Sequence, residues 1–444
     1  MDKVKDLSDV EKRLLLKQLL SRNEKKAVQL LSPLKATQAS NDPTSFNDFS
    51  GFKMLQEQAE IFQTLALKNP YFCTHEGISD HVTAFEGRKY INYSGYNYLG
   101  LSGHPDVSAA AKNAIDHYGT SVSASRIVSG EIPLHAELEQ VLAEIHDTES
   151  AVALVSGYAT NVSVISHLFG AKDLILHDAL IHNSVITGCV LSGAKRLVFP
   201  HNDWEALDQM LKENRHNHER VLIIIEGVYS MDGDIPDLPR FIGIKKQHQC
   251  LLMVDEAHAA GVIGPRGYGS HDHFGIKGSD VDIWMGTLSK SFASCGGYIC
   301  GSRALIENIK YNAAGAILFS VGISPANTAA ALAAARILQR EPERAARLRA
   351  RSKLFIERAQ ANQLDIGDAS GTGVIPIITG NSVLCLKLGQ YLSDAGIYVH
   401  PILYPAVSES AARLRFFITC NLTEDEVIHT VDTLAAAMHK LKPN

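Results

Sequence analysis

The sequence predicts an α/β fold: a largely parallel sheet covered by helices on both faces, followed by a smaller α/β segment. Three observations point there. Apolar runs of strand length are continuous rather than alternating, as in strands buried on both faces. They recur between helical stretches in the order strand, helix, strand. Ionisable residues gather where the runs stop, at Glu226, Asp255, His258 and Lys290, and in such sheets ligands bind at the carboxyl ends of strands.

Each element has its own signal. SDVE at 8–11 reads as a capping box ahead of Leu14, Leu15, Leu16, Leu19 and Leu20, which predicts a short amphipathic helix. A tract rich in Ser, Thr, Asn, Asp and Pro from about 32 to 51 reads as a linker. A second helical pattern covers about 52–67. After INYSGYNYLG come the strand-like runs AVALVS (151–156), DLILHD (173–178), RLVFP (196–200), RVLIIIEG (220–227), CLLMVDEA (250–257), VDIWMGTLS (281–289) and GGYICG (296–301). Beyond about Thr328 an Ala, Leu and Arg-rich helix leads to strands near VIPIIT (374–379) and RLRFFIT (413–419). The expected division is an extension of helix and linker at 1–50, an arm at 51–90, a large domain at 91–328 and a small domain at 329–444.

Composition narrows the function. The 444 residues carry 42 Lys+Arg against 48 Asp+Glu, a formal charge of −6, where tracking along nucleic acid needs a concentrated basic surface. An apolar content of 45% supports a substantial core. Seven cysteines with no CxxC spacing indicate neither a disulfide framework nor a zinc knuckle, and so a reducing compartment. No apolar run approaches the roughly 20 residues of a spanning helix, and the amino terminus lacks a long apolar core. A cytoplasmic protein is the expectation.

Asp255-Glu256-Ala257-His258 spells the box of one helicase class. A nucleotide motor also needs a GxxxxGK[ST] loop to cradle phosphates. None occurs; GTLSKS at 286–291 comes nearest and has Ser289 where glycine would stand. The carboxylate at 255 therefore serves other chemistry or caps a turn.

Lys290 supplies the other chemistry. It follows an apolar strand among small residues, in GTLSKSFASCGG. Alone, it reads as a surface lysine at a strand end; buried, it loses its proton or finds a partner, and a neutral amine is a nucleophile toward aldehydes. Asp255, at the end of what reads as a neighbouring strand, is the carboxylate that a pyridoxal phosphate enzyme uses to keep its pyridine nitrogen protonated.

The chain resembles the α-oxoamine synthase family of fold-type-I pyridoxal phosphate enzymes over roughly 65–440. The residues that carry the likeness are INYSGYNYLGLSGHP, SRIVSGEIPLH, SGYATN, HDALIHNS, EGVYSMDGD, VDEAHAAGVIGPRGYGS, GTLSKSFASCGGYICGS and YPAVSESAARLRF. The family includes the synthases of 8-amino-7-oxononanoate, 2-amino-3-oxobutyrate and 5-aminolevulinate, and serine palmitoyltransferase. The resemblance implies an aspartate aminotransferase-like fold, with a large domain built on a seven-stranded, mostly parallel sheet and a smaller carboxyl-terminal α/β domain.

It also implies roles, residue by residue. Lys290 would hold the cofactor and Asp255 its ring nitrogen. Gly157 and Tyr158 would present helix amides to the phosphate, as a helix amino terminus can. His182 would stack on the pyridine face, and His177 is left as structural. Ser230 and His258 match groups that hydrogen-bond the ring's phenolic oxygen, and Thr287 a phosphate-binding hydroxyl. Ser320 resembles a phosphate contact from a partner subunit, although Val321 follows where many relatives have threonine. Arg415 matches the guanidinium that grips the amino-acid carboxylate; Arg413 shares its face in a regular strand, so spacing alone leaves both open. Cys295 and Cys300 read as packing residues, and Glu226 and Glu256 as groups that position neighbours. Tyr96 stands where glycine-using relatives usually carry asparagine and resembles the serine palmitoyltransferase branch; Ala406 replaces a common threonine.

The implied activity is condensation of a small α-amino acid with an acyl thioester, on CoA or an acyl carrier protein, by a homodimer with active sites at the subunit interface. An aminotransferase would share Lys290 and Asp255, but the HNS, YSMDGD and DEAH contexts favour the synthase. A non-catalytic partner subunit is the other alternative, and such relatives lack the lysine. The leucine-rich helix within 1–50 either packs on its own dimer or docks a carrier protein.

Overall fold

The computed structural model describes residues 44–404 and 406–441. The capped leucine helix at 8–20 and most of the linker at 32–51 lie outside the described residues. The helix expected at 52–67 spans Ser50–Leu65 and buries Ile61 and Phe62. Two short strands follow, β1 (Val82–Phe85) and β2 (Arg88–Asn92), paired antiparallel.

The main sheet contains β3 (Ser150–Leu154), β4 (Leu174–Asp178), β5 (Lys195–Phe199), β6 (Val221–Glu226), β7 (Leu251–Asp255), β8 (Ile283–Thr287) and β9 (Gly297–Gly301). Their spatial order is β3-β9-β8-β7-β6-β4-β5. Five neighbours from β8 to β5 run parallel, and β9 runs against both β8 and β3. All seven apolar runs of the sequence became these strands.

The burial of β6 shows why the runs are unbroken. Val221, Ile223 and Ile225 enter one core cluster with Leu252, Val254 and Trp284. Leu222 and Ile224 enter another, on the opposite face, with Met253 and Met285. Successive side chains alternate in direction, yet both faces are covered by helices, so every position is apolar. Each such residue withdrawn from water contributes about 1.5–3 kcal/mol.

A second sheet is built from β10 (Val374–Ile378), β12 (His400–Ile402) and β13 (Arg413–Phe417) in the antiparallel order β10-β13-β12. β10 bonds only to β13, and as an edge strand it tolerates Pro376. A two-residue strand, β11 (Ile397–Tyr398), returns to pair with β2, which ties the arm to the carboxyl-terminal segment. This segment has its own core around Phe355, Leu388, Leu414, Phe416 and Leu434.

Candidate active site

The parallel register brings the ends of β6, β7 and β8 side by side, with Glu226 opposite Asp255 and Asp255 opposite Met285. There a pocket is lined by Gly157, Tyr158, Asn161, His182, Ser184, Glu226, Asp255, His258, Thr287 and Lys290, with Ala257 and Met285. The structure thus gathers Gly157, Tyr158, His182, Asp255, His258, Thr287 and Lys290 of the expected set.

Asp255 is buried; its Oδ1 accepts from Ala257 N at 3.0 Å and its Oδ2 from Asn161 Nδ2 at 2.9 Å. Lys290 sits in the tight return between β8 and β9. That return is laced by Leu288 N to Gly296 O, Ser294 N to Leu288 O and Ala293 N to Lys290 O, and pinned from outside by the Ser291 hydroxyl on Ala260 O. Loss of solvent lowers the Lys290 amine to about 8, against the pull of Asp255 and Glu226. A share of neutral amine is therefore present near neutral pH.

His258 is buried between Tyr98, whose hydroxyl meets Nδ1, and Lys290, whose amine meets Nε2. Burial first, then the charges of Lys290 and Arg415, hold His258 well below the usual histidine range, so it stays neutral. His182 caps the helix Asn183–Ser192, its Nδ1 accepting from Ser184 N. That bond leaves the ring proton on Nε2. Glu226 is pushed well above the usual carboxylate range by burial and then by Asp255, and its Oε1 has no hydrogen-bond partner among the described residues.

Gly157 opens the helix Gly157–Leu168, capped by Ser156, whose hydroxyl accepts from Ala159 N. The amides of Gly157 and Tyr158 make no hydrogen bond among the described residues. A Cβ on Gly157 would come 2.9 Å from the Thr287 hydroxyl, so only glycine lets the turn approach this closely. Thr287 itself donates to Gly296 O at 3.1 Å.

Tyr96, Arg415 and His400 line an adjoining recess, and the Lys290 amine lies 5.7 Å from the centre of the Tyr96 ring. The structure separates the two arginines. Arg413 is buried in an ion pair with Asp232 and also donates to the carbonyls of Met231 and Ala411. Arg415 donates from Nη1 to Ser230 O, touches the sulfur of Met231, and has no acidic partner among the described residues.

Ser230 and Ser320 do not line the pocket. Ser230 reaches the site through its backbone carbonyl at Arg415. Ser320 donates to Val321 O between the exposed Phe319 and Val321. His177 is buried on Asp178 O, and Cys300 is buried as expected. Cys295, read as a packing residue, is instead exposed, because it lies in the β8–β9 return rather than in β9.

Three site residues were not singled out from sequence: Asn161, Ser184 and Tyr98; Glu226, noted at a strand end and read as positioning its neighbours, forms part of the pocket wall. Asn161 lies four positions after Gly157 on the same helix face, a spacing that could have exposed it. Ser184 bonds both His182 Nδ1 and Asn161 Nδ2.

The donor set fits pyridoxal phosphate: an amine for an aldehyde, a buried carboxylate for a pyridine nitrogen, an imidazole at the wall and free amides at a helix amino terminus. The family model for aminotransferase class I and II matches residues 88–434. An 8-amino-7-oxononanoate synthase from Treponema denticola is 39% identical over 81% of this chain and 90% of its own. Another, from Thermosipho melanesiensis, is 38% identical over 84% and 92%. The chain belongs to the α-oxoamine synthases. Among solved structures, serine palmitoyltransferase from Sphingomonas wittichii superposes on this synthase with a TM-score of 0.85 at 29% identity, covering 90% of this chain and 99% of the other. A variant of the S. paucimobilis enzyme with bound PLP gives 0.85 at 27%, over 89% and 99%. The synthase is accordingly a pyridoxal phosphate-dependent acyltransferase. No helix among the described residues is long and apolar enough to cross a membrane.

Proposed function

We propose that the chain condenses a small α-amino acid with an acyl thioester, releasing an α-amino ketone, a thiol and carbon dioxide. The Lys290 amine and the Asp255 carboxylate in one pocket support the pyridoxal phosphate chemistry, and the likeness to two 8-amino-7-oxononanoate synthases is the observation that favours condensation over aminotransfer.

Bound there, pyridoxal phosphate supplies an electron sink for the carbon that loses its α-proton. The chain does the rest. Asp255, held from behind by Asn161, would keep a proton on the pyridine nitrogen. The amides of Gly157 and Tyr158 and the hydroxyl of Thr287 would hold the phosphate, and His182 would lie against the ring. Arg415 holds the amino-acid carboxylate. Lys290 would hold the cofactor's aldehyde, and its amine, lowered to about 8, is suited to take the substrate's α-proton. Ser320 is assigned to the partner subunit's phosphate in a homodimer, and Ser230 to the ring's oxygen side with His258.

The test is mass spectrometry of products from a panel of amino acids and acyl thioesters, with thiol release followed in parallel. Aminotransfer without thiol release would sink the condensation. The enzyme is placed in the cytoplasm, and its acyl donor is either an acyl-CoA or an acyl carrier protein, the latter docked by the segment at 1–50. Deletion to about residue 50 should then slow condensation with the carrier-bound donor and spare a small thioester mimic. Equal loss with both donors would remove the docking role.

A further inference from the structure

Beside the Lys290 pocket lies a polar recess of about 260 Å³ whose walls include Ser94, Tyr96, His400 and Arg415. Several of its hydrogen-bonding groups have nothing to bond. Ser94 Oγ and Arg415 Nε are buried with no hydrogen-bond partner among the described residues. The His400 side chain makes ring contacts, with Tyr71 at 5.2 Å and Tyr398 at 6.3 Å, and no hydrogen bond among the described residues. An unpaired buried polar group costs about 1–3 kcal/mol, so the recess is built to be completed by a ligand.

The register of the second sheet decides which ligand. His400 on β12 pairs directly with Arg415 on β13. Paired residues on antiparallel strands project to the same face, with Cβ atoms about 4.5–5.5 Å apart. Imidazole and guanidinium therefore converge on one wall. An ionised carboxylate offers about four lone-pair sites. Arg415 has already committed Nη1 to Ser230 and Met231, which leaves sites for another donor.

We propose that His400 is a second binding group for the carboxylate of the amino-acid substrate, acting beside Arg415 and taking up one proton from solvent as that carboxylate arrives. This rests on the condensation proposed above. Without substrate, loss of solvent and then the charge of Arg415 lower His400, which stays neutral. The titratable and charged groups facing it are Arg415 from β13, Tyr398 from the adjoining strand, and Tyr71, His75 and Tyr96 from the arm and the following loop. None of these is acidic, so the substrate itself brings the negative charge that offsets Arg415 and favours the imidazolium.

Reconstituted holoenzyme, as wild type, His400→Gln and His400→Ala, is titrated with glycine, L-alanine and L-serine by calorimetry. Runs at about pH 7 in two buffers of different ionisation enthalpy count protons. Wild type should take up more protons per site than His400→Gln, the difference approaching one. His400→Ala should weaken amino-acid binding about tenfold, as for loss of one charge-assisted hydrogen bond, with glutamine in between. The KM for the acyl thioester should not move. Equal proton uptake in wild type and His400→Gln, or a defect confined to the acyl thioester KM, overturns the assignment while leaving the condensation standing. If wild type neither binds any of the three amino acids nor forms product, both fall together.

Discussion

The Nε2 of His258 lies 2.9 Å from the amine of Lys290. A neutral imidazole has one donor and one acceptor, so His258 can accept from a charged Lys290 or donate to a neutral one, and the Tyr98 hydroxyl on Nδ1 can serve either tautomer. Lys290 can thus change protonation without leaving a buried group unpaired. With the neutral Lys290 amine as the proposed base, turnover should rise with pH through about 8 and flatten above it. A rate–pH profile at saturating substrates checks this; a rate independent of pH between about 6 and 9 would remove Lys290 as the base.

Asp255→Asn keeps the shape of the site and the contact to Asn161 while removing the charge. The variant should retain pyridoxal phosphate but exchange the substrate α-proton at least about a hundredfold more slowly, as for loss of a general acid–base or charge-holding group. Exchange of the α-proton with deuterium, followed by NMR, gives the answer; a normal rate would mean that another group protonates the ring.

The two arginines of β13 should fail differently. Arg413→Ala leaves Asp232 without its buried partner and should cost about 3–5 kcal/mol in denaturant unfolding. Arg415→Ala breaks no ion pair among the described residues. Its defect should appear as a raised amino-acid KM with a smaller loss of stability. Interchanged outcomes would exchange their roles.

His201 bridges Asp178 and Asp234 at 2.9 and 3.0 Å. Burial alone would lower its pKa, but hydrogen bonds to the two carboxylates outweigh this and raise it to about 10. A folded value above the unfolded one, roughly 6.5, means stability fully present below that value and lost as pH rises through about 10. His201→Ala should therefore cost roughly 2 kcal/mol near pH 6, allowing for its partial exposure, and much less above pH 10. Unfolding curves at several pH values measure the difference; a constant penalty would show that the charge plays no part.

The sheet and the Lys290–Asp255 pair were legible because the information is local. Strands buried on both faces leave unbroken apolar runs, and a chemical residue stands out where a run ends. Asn161, Tyr98 and His400 were hidden because their partners are remote in the chain: Tyr98 meets His258 only after β7 is laid down, and His400 meets Arg415 only across a sheet register. The choice between Arg413 and Arg415 needed the position of Asp232, which no spacing within β13 records. Cys295 misled because its small size suggested packing, whereas its place in the β8–β9 return leaves it exposed.

Lys290 sits on a peg that cannot travel, because the return around it is hydrogen-bonded across its base and nailed to Ala260 from outside. Whatever its amine releases, it releases on a leash of four methylenes. Letting go and reattaching are then swings of one side chain about a fixed Cα, with no backbone rearrangement to wait for. A tethered amine competes for its old bond at a high effective concentration, whereas a finished product held by few contacts competes from solution. In the proposed role of Lys290, that fixed anchor would favour the enzyme's own reattachment over the product's return.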